Sequence, residues 1–142
     1  MDSRHPRGMG LVCWLRLWPW WPFLLLLIAV VACGGSAATI ERGLVDVGGH
    51  KLYIDCVGEG SPTVIMDAGL NSGGKVWDKV QPSVGEITRA CSYDRAGVDR
   101  SEPGPRPGTS QQIVDELHSL LANAGIDGPY VMVGHSFGGL NM

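Results

Sequence analysis

The sequence predicts an α/β domain in which an antiparallel hairpin precedes parallel strands joined by crossover helices. Three observations carry that expectation. Residues 51–57 alternate apolar and polar side chains behind a Gly48-Gly49 turn, the period of a hairpin strand. Residues 63–66 and 130–133 are short continuous apolar runs, which suit parallel strands covered on both faces. Between them lies a stretch with helical spacing, so strand, helix and strand alternate as parallel sheets require.

The domain does not start at residue 1. Residues 17–32 (LWPWWPFLLLLIAVVA) carry no charge, and Arg4, Arg7 and Arg16 precede them with only Asp2 opposed. A basic start, an apolar stretch and small residues after it describe an export signal, which is set apart from the fold. Three readings stay open. The end, Val30-Val31-Ala32-Cys33-Gly34-Gly35-Ser36, resembles a bacterial lipobox, with the lipid on Cys33. An uncleaved anchor is the second, although the run is shorter than the roughly 20 residues a spanning helix needs. Simple secretion is the third. The expected organisation is a leader over 1–33, a tether over 34–42 and the α/β domain over 43–142.

Without residues 1–33, Lys+Arg falls from 11 to 8 and Asp+Glu from 14 to 13, leaving a net charge of −5. No cluster of basic residues interleaves with aromatics, so nucleic acid is not an expected partner. The cysteines and histidines show no ligand spacing, so neither a metal nor another cofactor is expected.

Along the domain, residues 44–47 and 51–57 form the predicted hairpin, and residues 63–66 the first parallel strand. A Gly-rich loop, Asp67 to Gly74, follows it. Trp77, Val80 and Val84 fall at helical spacing, with Pro82 keeping that helix short or bent. Residues 89–93 read as the next strand. Residues 97–109, with three prolines and three glycines, read as a surface loop. Thr109 and Gln112 form a capping box for a helix whose stripe is Ile113, Leu117, Leu120 and Leu121. Gly125 is its expected stop, and residues 130–133 are expected as a buried strand.

Directly after that strand comes Gly134-His135-Ser136-Phe137-Gly138-Gly139, a G-x-S-x-G sequence. A serine on a sharp strand-to-helix turn stands clear of the sheet, where its hydroxyl can act as a nucleophile. Strand and helix approach closely there, so glycine belongs at Gly134, Gly138 and Gly139. Attack by a serine creates an oxyanion, which two backbone N–H groups must meet. The N–H of Phe137 is one, and the loop Gly69-Leu70-Asn71 is the expected source of the other.

Taken together, residues 57–142 resemble the N-terminal half of an α/β-hydrolase of the esterase, lipase, haloperoxidase and aminopeptidase-like group. Pro62-Thr63-Val64-Ile65-Met66, Ser92-Tyr93-Asp94-Arg95-Ala96-Gly97 and the stretch from Gly128 to Gly139 carry the resemblance, in matching order. It implies Ser136 as nucleophile, Leu70 and Phe137 as oxyanion donors, and a sheet cut off just after the nucleophile turn. Two departures stand out. Ala68-Gly69 replaces the His-Gly that often precedes the donor, and Asp99 replaces the second glycine of the Asp-Arg turn, where it can strain the loop.

In such enzymes the acid and the histidine follow the serine in chain order, and only six residues follow Ser136 here. His50, His118 and His135 are poor substitutes, so the triad acid and base are expected outside this chain. The implied activity is hydrolysis of an ester, lactone or amide through an acyl-enzyme, on a small-molecule substrate. The competing reading is an exported binding module, or an inactive truncated product, with the same fold. Asp94 and Arg95 are expected as an ion pair holding their turn, and Asp67 as a carboxylate fixing the loop beside it. The resemblance also lays the strand of Cys56 antiparallel to that of Cys91, near one edge, which implies a disulfide between them if register agrees. Two unpaired buried thiols are the alternative.

Overall fold

The computed structural model describes residues 39–142. The expected leader, with Cys33 as its expected lipidation site, and most of the expected tether lie outside the described residues.

Five strands form one mixed sheet in the order β1-β2-β4-β3-β5. They are β1 (Arg42–Asp46), β2 (Lys51–Val57), β3 (Thr63–Asp67), β4 (Ala90–Asp94) and β5 (Tyr130–Gly134). The first two form the predicted antiparallel hairpin, with Val45 opposite Leu52. Gly48 and Gly49 turn it at φ of 105° and 109°, a region that side chains avoid. The β2–β4 pair is antiparallel, and β3 pairs in parallel with both β4 and β5. Residues 40 and 41 belong to the domain rather than to a tether. The Ile40 N–H donates to Ala124 at 2.8 Å, and the Glu41 carbonyl accepts from Cys56 at 2.7 Å.

Alternation along the strands divides the core into two layers. On one face Leu52, Ile54, Ile65, Cys91 and Tyr93 pack with Leu117, Leu120, Leu121 and Ile126. These last come from and just beyond helix α2 (Ser110–Asn123). On the other face Val64, Met66 and Ala90 pack with Trp77, Val84 and Val133. Each of β3 and β4 is buried along its whole length, as strands covered on both faces must be.

Helix α2 starts at Thr109, whose hydroxyl accepts from the Gln112 N–H. The reciprocal half of the capping box is not made. Gln112 Nε2 reaches the Pro105 carbonyl at 3.1 Å and Glu116 Oε1 at 2.7 Å instead. The helix ends as expected at Gly125, with φ of 68°. The Gly125 N–H returns to Ala122 and the Ile126 N–H to Leu121, satisfying two of the last carbonyls while Ile126 is buried.

Two expectations are corrected. The segment around Trp77 is not one helix but a 3-10 turn, Gly74–Trp77, followed by the five-residue helix α1 (Gln81–Gly85) with Pro82 in its first turn. Val80 therefore stays exposed and Gln81 is buried in its place. Its amide donates to the Asp55 and Ala90 carbonyls at 2.7 and 3.0 Å and accepts from Ser92 Oγ at 2.8 Å. The second correction is β5, expected buried. Tyr130, Val131 and Met132 are 38%, 44% and 40% exposed. The strand lies at the sheet edge and pairs, among the described residues, with β3 alone.

Candidate active site

The chemistry predicted from the sequence gathers at the C-terminal ends of β3, β4 and β5. Parallel strands deliver their following loops to one edge of the sheet, where α/β folds bind ligands. Gly134 lies opposite Asp67, so the loop after β3 and the turn after β5 leave the sheet side by side. The His135 N–H donates to the Asp67 carbonyl at 3.0 Å and extends that pairing by one residue.

Ser136 stands on the turn that follows, with φ of 54°. Such a conformation is unfavourable for a residue with a side chain and persists only where the surroundings enforce it. A Cβ on Gly134 would come within 2.5 Å of Gly139 Cα, and one on Gly138 within 2.4 Å of the Asp67 carbonyl oxygen. The third glycine differs, because a Cβ on Gly139 would meet nothing nearer than 3.8 Å. The chain continues as a 3-10 helix, Ser136–Leu140, rather than as the expected α-helix. Ser136 itself is exposed.

The loop after β3 lies against this turn. A Cβ on Gly69 would be 3.3 Å from His135 Nδ1 and 3.7 Å from Ser136 Cβ, so glycine allows the close approach. Leu70 follows with its side chain 65% exposed, and Asn71 turns the chain at φ of 56°. The Ser72 N–H closes the turn on the Gly69 carbonyl at 3.1 Å.

Arg95 organises this loop, and the expectation that it pairs with Asp94 is corrected. Its guanidinium donates to Asp67 Oδ1, to the Ala68 carbonyl at 2.7 Å, to the Gly69 carbonyl and to the Ser72 carbonyl at 3.3 Å. The Phe137 ring lies 5.5 Å from the same guanidinium, within reach of a cation–π attraction. Asp94 turns the other way, accepting from the Gly74 N–H at 2.6 Å and from Arg100 Nε at 2.8 Å. The cause is alternation, since successive residues leaving a strand point to opposite sides.

Asp67 is fully buried, with one carboxylate oxygen on Arg95 and the other accepting from Asn141 Nδ2 at 2.8 Å. It thus joins the loop after β3 to the chain leaving the serine turn, and agrees with its expected loop-fixing role. Sequence reasoning missed Asn141 and the reach of Arg95. The pairing of Met66 with Ser92 sets the residues after β4 beside the loop after β3, and no local feature of the sequence marks that pairing.

Beside the loop and the turn lies a cavity of about 500 Å³, lined by Leu70, Arg95, Gln112, Glu116 and Phe137 among others. The three described histidines occupy different settings. His118 is exposed on α2, His135 adjoins the serine, and His50 is buried with Nε2 3.3 Å from Glu116 Oε1. Away from this edge, Cys56 and Cys91 are register partners on β2 and β4 and form a disulfide. Among the described residues no group of histidines, cysteines and carboxylates could hold a metal, and no helix is long and apolar enough to cross a membrane.

No family model matches the chain. It is 32% identical over 108 residues to a probable transporter, efuK, of Hormonema carpetanum, a match covering 72% of this chain and 16% of that protein. To the putative carbamate hydrolase RutD of Yersinia enterocolitica it is 36% identical over 93 residues, covering 63% of this chain and 33% of the relative. The chain therefore spans a third or less of the length of these curated relatives. Among solved structures, an epoxide hydrolase of Vigna radiata superposes with a TM-score of 0.64 at 27% identity, over 72% of this chain and 32% of that one. By these likenesses the chain belongs to the α/β-hydrolase superfamily, which it matches over part of the length of its relatives.

Proposed function

We propose that the protein is a serine hydrolase that cleaves an ester, lactone or amide through an acyl-enzyme, with Ser136 as nucleophile. The observation that carries this reading is Ser136 at a positive φ, between two glycines whose side-chain-free backbones allow the turn. A strained serine presented above a sheet edge is a reason to infer function. Relatives named as hydrolases support hydrolysis as the coarse reaction type.

In this mechanism Ser136 Oγ bonds to the substrate carbonyl carbon, and the carbonyl π pair moves onto oxygen. The N–H groups of Leu70 and Phe137 receive that charge. Collapse expels the alkoxide or amine, which leaves with the proton that Oγ gave up, and water then releases the acid. The acid and base that carry this proton are assigned to no residue of this chain. Leader residues 1–33 are proposed to direct export, with Cys33 lipidated, and the Cys56–Cys91 disulfide suits an oxidising compartment.

The test is labelling of the full-length protein with a fluorophosphonate probe. Ser136 should be the labelled residue, and Ser136→Ala should remove both labelling and turnover of p-nitrophenyl esters. Labelling that persists at another serine would refute the assignment, and a folded protein with neither labelling nor turnover would favour a non-catalytic module.

A further inference from the structure

From the fork that Arg95 makes on the loop after β3, we infer that Arg95 is the positioning residue of the oxyanion hole. This inference rests on the serine-hydrolase reading above.

The argument starts from one peptide bond. The Gly69 carbonyl and the Leu70 N–H belong to the same planar trans unit, so they point in opposite directions. Arg95 binds that carbonyl from one side, with Ser72 N–H as its second donor. The Leu70 N–H is thereby fixed pointing away from the guanidinium. The loop itself has little else to set this orientation. Gly69 carries no side chain, Leu70 is exposed, and Asn71 is in the left-handed region.

The same guanidinium holds Ala68 and Ser72 on either side of that peptide, so the loop is clamped before and after the donor. The Phe137 ring lies against it as well, which ties the second donor's residue to the same group. Its charge is offset by the buried Asp67 carboxylate, which in turn holds Asn141 beyond the serine turn. One planar cation thus holds the loop of the first donor and packs against the residue of the second. Lysine, a point charge without a planar fork, lacks the geometry to serve several acceptors this way.

The experiment compares wild type with Arg95→Lys in the full-length protein, per active site titrated by fluorophosphonate. It measures kcat and KM on a p-nitrophenyl ester and the Ki of a phenylboronic acid, which forms a tetrahedral adduct on serine. A misplaced oxyanion donor should lower kcat about 100-fold. The boronate should weaken in proportion, with KM held within about threefold. A purely structural role would reduce the titratable fraction and leave kcat and Ki per titrated site unchanged, which would overturn the inference. If Arg95→Lys yields no soluble protein, Arg95→Gln, whose single amide cannot serve all these carbonyls, decides by the same readouts: a parallel fall in kcat and boronate affinity supports the inference, and no change overturns it. Should wild-type Ser136 not label, or turnover survive Ser136→Ala, the serine-hydrolase reading itself fails.

Discussion

A Cβ on Gly138 would stand 2.4 Å from the backbone oxygen of Asp67, the residue that ends β3. The serine turn and the β3 loop are in contact there through main chain alone. Gly134 is equally confined, by Gly139 Cα at 2.5 Å, whereas Gly139 has open space to 3.8 Å. Sequence alone gave these three glycines one role, and the structure separates them. Gly138→Ala and Gly134→Ala should each destabilise the protein by about 1–3 kcal/mol, the usual range for overpacking, and reduce labelling of Ser136 more than tenfold. Gly139→Ala should leave both near wild type. Denaturant titration and probe-labelling rates check the contrast, and equal effects at all three positions would count against the geometry.

Asp99 sits at φ of 45°, where the sequence comparison expected glycine. The left-handed region costs a residue with a side chain roughly 1–2 kcal/mol, partly offset because glycine has more freedom to lose on folding. Asp99→Gly should therefore raise stability by roughly 0.5 kcal/mol, while β-branched Asp99→Val should lower it. Thermal melts of the two variants, run beside wild type, give the comparison.

Asp46 holds the hairpin turn through its Oδ1, which accepts from the Gly48 N–H at 2.7 Å and the Gly49 N–H at 3.4 Å. These bonds favour the carboxylate and lower its pKa below the ordinary Asp value. A lowered folded-state pKa contributes stability that is fully present above the unfolded value, about 3.9, and is lost as pH falls through the folded one. Asp46→Ala should be less stable than wild type at pH 7, and the difference should shrink toward pH 2. A constant difference across that range would show that the turn gains nothing from the charge.

The parts of the fold that depend on near neighbours were legible in the sequence. The hairpin, β3, β4 and the Thr109 and Gly125 ends of α2 follow from alternation, branching and caps, which act over a few residues. What was not legible depends on partners far along the chain. Arg95 ignores Asp94, its sequence neighbour, for a loop 23–28 positions earlier. Gln81 looks like a surface residue until three acceptors and donors from β2 and β4 surround it. The exposure of β5 has the same origin, because its apolar residues fix its type but not what covers it.

Cys56 and Cys91 lie opposite each other on β2 and β4, 6% and 1% exposed, and close a loop of 35 residues. The bond removes freedom from the unfolded chain, which in the chain-entropy treatment amounts to about 4 kcal/mol for a loop of this size. It also staples the antiparallel half of the sheet, β1–β2, to β4 and so to the strands that carry the candidate site. Reduction should therefore lower the melting temperature without altering the slope of Ser136 labelling against temperature until unfolding begins. Replacing both cysteines by alanine should cost at least as much, since it also removes buried sulfur from the core. Melting temperatures with and without a reductant, together with peptide mapping under non-reducing conditions, provide the check. Alkylatable Cys56 and Cys91 in protein recovered from an oxidising compartment would overturn the pairing.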